Sequence, residues 1–294
     1  MKLLVLSRSR RISSTRRLVD AAKARGHRVR VLAPTELLVS LDGHLGKLLR
    51  RGLRLRTPDV VIPRIAPSIA SYGLQVLEQL EMHGAKVMNS AHAIGQARNP
   101  VRCLQLLAGH GLDIPTTVLG RDIHDLKAKL GVLGGVPVLV KLLQGTERRG
   151  VMVCESEQSL EAALEAVLGL GHDIVLQEYL RAATRDVRVF VVGGQALAAV
   201  SRKARPGRLT RSLGRQVQLE PCELTGTLRA TAERAAVLCG LEVCAVDLLE
   251  LAGGAKIFEV NPSPELPGME AATGVDLATP IIMRAEALAA EART

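Results

Sequence analysis

A chain of 294 residues, 47% hydrophobic and 23% charged, is too apolar for disorder and too long for one simple core, so two or three compact units are expected. With no Trp, two Tyr and two Phe it lacks the stacking platforms of a single-strand nucleic-acid binder. A formal charge of +10 favours anionic partners such as nucleotide phosphates or an acidic peptide.

Met1 to Leu6 starts like a signal segment, but Ser7-Arg8-Ser9-Arg10-Arg11 ends the apolar run too early. Leu3 to Leu6 instead reads as a buried strand. Ser13 or Ser14 caps a helix running toward Arg25, with Gly26 as its stop. Strands follow at His27–Leu32 and Asp59–Ile62, then a helix from Ser68 to His83 and a short strand near Lys86. This β-α-β opening predicts a parallel sheet, with Arg8 and Arg64 just past strand ends, where such sheets take ligands. The unit closes near Ala97.

Asn99-Pro100 opens the next helix, a capping residue followed by proline at the first helical position. Val136–Lys141 and Val151–Val153 flank the loop Gln144–Gly150 and predict a hairpin whose tip could lie over phosphates. Strands are also expected at Thr116–Leu119, Ile174–Leu180, Asp186–Val192 and Ala196–Ser201. Arg202, Lys203, Arg205, Arg208, Arg211 and Arg215 then form a basic connection without periodicity. A helix over Thr225–Leu238 leads to the chain's most informative stretch, and helices near Met269 and over Ala278–Ala290 end it. Five cysteines without CxxC spacing indicate neither a zinc site nor a disulfide framework, which fits a reducing cytosol.

The informative stretch is a pair of apolar strands, Ala245–Leu249 and Ala255–Asn261, joined at Gly253-Gly254 as a hairpin. Pro262 and Pro264 end the second strand. Glu259 and Asn261 stand two residues apart and share a face, and the hairpin brings Asp247 near Glu259. Three oxygen ligands suit a hard cation such as Mg²⁺. A carboxylate inside an apolar run needs a partner or a metal.

Several blocks resemble the ATP-grasp ligases, and within them the RimK family of glutamate ligases. They are Val61–Ile65, Ser71-Tyr72-Gly73, Pro137–Lys141, Gln177-Glu178-Tyr179, Asp186-Val187-Arg188, Ala245-Val246-Asp247, Glu259–Pro264 and Thr273–Asp276. The resemblance implies an α/β protein with an ATP-grasp fold preceded by a small open pre-ATP-grasp domain. It divides the chain into residues 1–97, 98–177 and 178–294. It assigns Lys141 to ATP phosphates, Glu178 and Tyr179 to the adenine hinge, Asp186 to the ribose, and Arg211 to the nucleotide. Asp247, Glu259 and Asn261 would hold two Mg²⁺ (or Mn²⁺) ions. Arg202 and Arg215 are expected to be catalytic and, with Lys203, to form a basic groove for an acidic tail. The implied reaction phosphorylates a carboxylate and lets an amine attack it, adding glutamate or a similar amino acid to a peptide or protein C-terminus, in a cytoplasmic enzyme that could form homo-oligomers.

The departures are specific. Asn99-Pro100 replaces the family's Asp-Lys, whose lysine contacts phosphate. Gly145-Thr146-Glu147-Arg148-Arg149-Gly150 replaces its glycine-rich loop, and Arg148 hinders close backbone approach. Thr210-Arg211-Ser212 stands opposite Arg-Ser-Asn; a one-residue slip restores Arg211-Ser212 but leaves Leu213 for the asparagine. Gln216-Val217 replaces Gly-Gly. An active ligase is therefore weighed against a weakened or inactive module that binds nucleotide or an acidic partner. Nucleic-acid binding rests on charge alone.

Overall fold

The computed structural model describes residues 1–41, 45–142, 151–181, 183–204 and 217–291. The first sheet is parallel, in the order β2-β1-β6-β7, from β1 Lys2–Ser7, β2 Arg28–Leu32, β6 Val60–Arg64 and β7 Lys86–Val87. Helix α1 Ser13–Ala24 joins β1 to β2, as the right-handed crossover requires. The chain then makes a meander, β3 Leu38–Ser40, β4 Lys47–Arg50 and β5 Leu53–Arg54, absent from the sequence reading because each strand is only two to four residues long. Helices α2 Ala70–Met82 and α3 Ala91–Arg98 complete this region.

Helix α4 Pro100–Gly109 begins where its signal lies: the Asn99 side chain accepts the Arg102 backbone N–H at 3.1 Å, and Pro100 holds the first helical position. A second, antiparallel sheet follows in the order β10-β9-β11-β8, from β8 Thr117–Gly120, β9 Val138–Leu142, β10 Val151–Cys154 and β11 Ile174–Glu178. Helices α5 Ile123–Ala128 and α6 Glu157–Gly169 bury Leu126, Leu160, Leu164 and Val167 against its Val138, Val140, Ile174 and Leu176. The α4 helix does not join this core. Its Cys103 and Leu107 pack with Val187, Val246 and Val260 of the next sheet.

That third sheet is antiparallel, β14-β13-β12-β15-β16, from β12 Arg185–Val192, β13 Gln195–Ala204, β14 Val217–Cys222, β15 Val243–Leu251 and β16 Gly254–Asn261. Helix α7 Gly226–Leu238 covers one face; α8 Pro267–Thr273 and α9 Ala278–Glu291 lie on the other side. The α9 helix also reaches the first sheet: Ile281, Ile282 and Ala285 share one buried cluster with Leu3, Val5 and Ile62 and with Phe190 and Val192.

One expectation is corrected here. Arg202 and Lys203 are not in an aperiodic connection but in β13, which runs to Ala204 and pairs there with β14. The loop Gln144–Gly150, and Arg205, Arg208, Arg211, Arg215, Leu213 and Gln216, lie outside the described residues. Among those described, no helix is long and apolar enough to cross a membrane.

Candidate active site

The three sheets meet around one cavity of about 1250 Å³. Sequence register explains who reaches it. Ser7 and Arg64 pair at the carboxyl ends of β1 and β6, so both face the cavity, with Arg8 one residue on. The Arg64 side chain is 9% exposed and donates to the Pro264 carbonyl at 2.8 Å. Burial lowers its pKa to about 10, with Glu265 opposing.

From the second sheet comes Lys141, opposite Val175 on β11. Its Nζ donates to Gln177 Oε1 at 2.6 Å, and Gln177 Nε2 donates to Thr117 Oγ1 at 2.9 Å. Burial pushes the Lys141 pKa down to about 8 against the pull of Glu259. Glu178 and Tyr179 line the same wall. The Glu178 carboxylate is committed to structure: it accepts the Thr116 N–H at 2.7 Å and pairs with Lys256.

The third sheet supplies most of the charge. Across the β12–β15 ladder Arg188 faces Asp247, and two parallel bonds of 2.7 Å join them. Arg202, 6% exposed, donates to Asp247 at 2.9 Å and to Asp186 Oδ1 at 2.9 and 2.6 Å. Its guanidinium lies 5.6 Å from the Phe258 ring centre. Two cations and two carboxylates thus form one network, with Asp186 Oδ2 left without a hydrogen-bond partner among the described residues. Burial raises the Asp186 pKa to about 6, and Arg202 opposes it. Burial also works against the Arg188 charge, but Asp247, Glu259 and Asp186 outweigh it and raise its pKa.

Asp247 faces Glu259, but the next pair is Leu248 with Ile257, so Phe258 is the extra residue of a bulge. Sequence neighbours Phe258 and Glu259 therefore both line the cavity, which regular alternation forbids. Glu259 and Asn261 still share a face, because the bulge lies before them. The Asn261 Oδ1 accepts the Ser263 N–H at 2.9 Å, which fixes its direction.

Residues 1–94 match the model of the RimK PreATP-grasp domain and residues 97–285 that of the RimK-like ATP-grasp domain. A probable alpha-L-glutamate ligase of Aeromonas salmonicida (strain A449) is 42% identical, covering 96% of this chain and 95% of its own length. A second relative with the same name, from Thioalkalivibrio sulfidiphilus (strain HL-EbGR7), is 41% identical over 100% of this chain and 98% of its own. This chain belongs to the RimK family of ATP-grasp ligases.

The fold agrees: the ATP-grasp ligase PsnB, solved with its minimal precursor, superposes with a TM-score of 0.78 at 22% identity, covering 98% of both chains. In a further structure PsnB carries Mg and ADP as well as its precursor, with a TM-score of 0.75 at 21% identity and 98% coverage of both chains. In this RimK-family chain Lys141, Glu178, Tyr179, Asp186, Glu259 and Asn261 line one cavity. Asp247, fully buried, stands one ladder step behind them with two guanidiniums on it. Arg202 is buried beside it and forms no exposed basic groove. Among the described residues no three His, Cys, Asp or Glu side chains converge as a metal site.

The fit to Mg²⁺ therefore rests on Glu259 and Asn261. They offer a carboxylate and an oriented amide oxygen at the cavity wall, and phosphate oxygens would add hard ligands. Asp247 would have to share its oxygens with two guanidiniums. Sequence reasoning gave no role to Arg188 or Gln177. The signal for Arg188 was present: Asp186 and Arg188 alternate with buried Val187 and Val189, so two opposite charges share one strand face. Pro100 lines the cavity too.

Proposed function

We propose that this ligase joins an amino acid, glutamate or one like it, to the C-terminus of a peptide or protein at the expense of ATP. The observation that carries this is the convergence on one cavity of Lys141 and Arg188 with the oxygen pair Glu259 and Asn261. Cations suit a phosphate chain, and hard oxygens suit the ions that travel with it. The relatives' name, probable alpha-L-glutamate ligase, supports the choice of amino acid. The PsnB complexes support a peptide acceptor and the use of Mg²⁺ with the nucleotide.

Two Mg²⁺ ions bound at Glu259 and Asn261 would neutralise phosphate charge. Lys141 and Arg188 do the same work from the protein side. The γ-phosphoryl group passes from ATP to the acceptor carboxylate: its bond to ADP breaks as a bond to a carboxylate oxygen forms. The amine of the incoming amino acid then attacks the carbonyl carbon, phosphate leaves with that oxygen, and the nitrogen loses a proton. Asp186 Oδ2, buried at the wall with no protein donor, is an acceptor that a ribose hydroxyl would satisfy. Glu178 and Tyr179 would form the adenine hinge through their backbone, since the Glu178 carboxylate is already engaged. Arg211 and Arg215, outside the described residues, keep their proposed roles toward nucleotide and reacting groups.

Pro100 on the cavity wall favours a second reading, a weakened or inactive module that holds nucleotide without turnover. An ADP-release screen over amino acids and peptide acceptors separates the two. The ligase reading expects release that depends on the amino acid. Nucleotide binding with no release under any combination supports the module.

A further inference from the structure

The chain's positive charge is not spread over it. Residues 1–97 carry 17 Lys and Arg against six Asp and Glu, a net +11, whereas the remainder carries 22 against 23. Within the first region a few cations are matched. Arg17 pairs with Glu270 and Asp276, Arg25 with Glu286, and Arg50 with Glu36. Arg8, Arg10, Arg11 and Arg16 are among the unmatched ones, and Arg8 stands at the cavity. All four are exposed, they lie within nine residues, and the first carboxylate of the sequence is Asp20. Among the described residues none of the four guanidiniums has an ion pair.

Their place matters more than their number. Arg8 lines the active-site cavity and also a smaller hollow of about 220 Å³ beside it. That hollow continues past Ser9 and Arg10 to Val29 and Val31 on the edge strand β2. Its one carboxylate, Glu36, is already held by Arg50 and the Ala33 N–H. Arg11 and the first turns of α1 flank the same end of the sheet. A line of unneutralised cations thus leads from the reaction cavity to the protein surface.

We infer that this β1–α1 turn is a docking track for an acidic peptide, the glutamate-bearing tail of the acceptor as it leaves or re-enters the cavity. The inference rests on the ligase reading above and names the partner chemistry of that site. A chain of carboxylates complements the track at spacing that flexible arginine side chains can follow, and the hollow's three valines, Val19, Val29 and Val31, accommodate methylene groups. With no aromatic residue from Ser7 to Arg16, the track lacks the stacking surface that would favour nucleic-acid bases.

The test is binding without turnover. Fluorescence anisotropy compares a labelled oligoglutamate, an oligoglutamine of equal length and a single-stranded oligonucleotide of equal charge, on the full chain without ATP. Arg10→Gln, Arg11→Gln and Arg16→Gln are combined in one variant. A control variant of equal charge combines Arg28→Gln, Arg30→Gln and Arg54→Gln; these residues are equally exposed, and Arg28 and Arg30 alternate with Val29 and Val31 on β2 and so leave its other face. The expected result is salt-sensitive binding of oligoglutamate but not oligoglutamine, weakened about tenfold in the first variant and much less in the control. Equal loss in both variants reduces the effect to net charge and overturns the track. Tighter binding of the oligonucleotide, lost in the same variant, overturns the peptide assignment, as does no oligoglutamate binding by the wild type. Absence of ADP release with every amino acid and acceptor would sink the ligase reading instead, whatever the anisotropy shows.

Discussion

Lys141 keeps an ammonium where burial opposes it, at a pKa of about 8 against an ordinary value of 10.5. The folded pKa lies below the unfolded one, so between pH 8 and 10.5 the unfolded chain binds the proton more strongly. Stability attributable to Lys141 therefore rises with pH across that window, and its full cost is present below pH 8. Lys141→Met should raise the melting temperature of the nucleotide-free protein by about 2–4 °C, the shift expected for roughly 1 kcal/mol in a domain of this size class. It should weaken ATP binding by about tenfold or more; titration calorimetry with scanning calorimetry reads both. A variant that binds ATP normally removes Lys141 from the phosphate site. Asp247 makes the opposite prediction. Asp247→Asn takes away the carboxylate that both Arg188 and Arg202 are bonded to, leaving Arg202 with Asp186 and Arg188 without its bidentate partner. Breaking such a network should cost about 3–5 kcal/mol in the absence of metal and nucleotide. Unchanged stability in urea unfolding would mean that Asp247 serves only ligands it meets later.

At the scale of elements, Asn99-Pro100 shows how stability and site compete for one position. The pair starts α4 well, yet Pro100 occupies cavity wall where the family resemblance leads one to expect a cation. Pro100→Lys should tighten ATP binding several-fold and lose a little stability; no change in either binding or rate would show that this position does not limit the enzyme. The same helix shows what the sequence disclosed. Its cap and start were legible because a side chain and a proline ring settle them locally. The β15–β16 hairpin was legible because apolar runs of β-forming residues and a glycine-bearing turn are local too, although the turn falls at Ala252-Gly253 and Gly254 already pairs with Leu251. Other features were missed. The bulge at Phe258 depends on how two strands twist together. Arg202 read as part of a loop because its burial depends on Asp186 and Asp247 from other strands. The meander at Leu38–Arg54 has strands too short for periodicity. The α6 helix was legible in principle, since Ser156 caps it and Leu160, Leu164 and Val167 recur at helical spacing, and was passed over.

Across the whole molecule, the ends of the chain share a core. Leu3, Val5 and Ile62 of the first sheet need Ile281 and Ile282 of α9 to be covered. A fragment of residues 1–97 expressed alone should therefore expose that face and bind a hydrophobic dye, and a peptide of residues 278–291 should suppress the signal. A fragment that is well folded and dye-silent would contradict this packing. The same closure brings the carboxyl end of the first sheet over Lys141, Arg188, Glu259 and Asn261 in one cavity, so in the proposed reaction the acceptor's approach and the nucleotide's chemistry share it. The most direct measurement of that claim is ADP release with ATP, Mg²⁺, glutamate and a peptide acceptor, in wild type and Glu259→Gln, which removes a charge and keeps the shape. The account predicts release in wild type that requires the amino acid and the metal, and its loss in a variant that stays folded. Equal release from both proteins, with the same Mg²⁺ dependence, would contradict it.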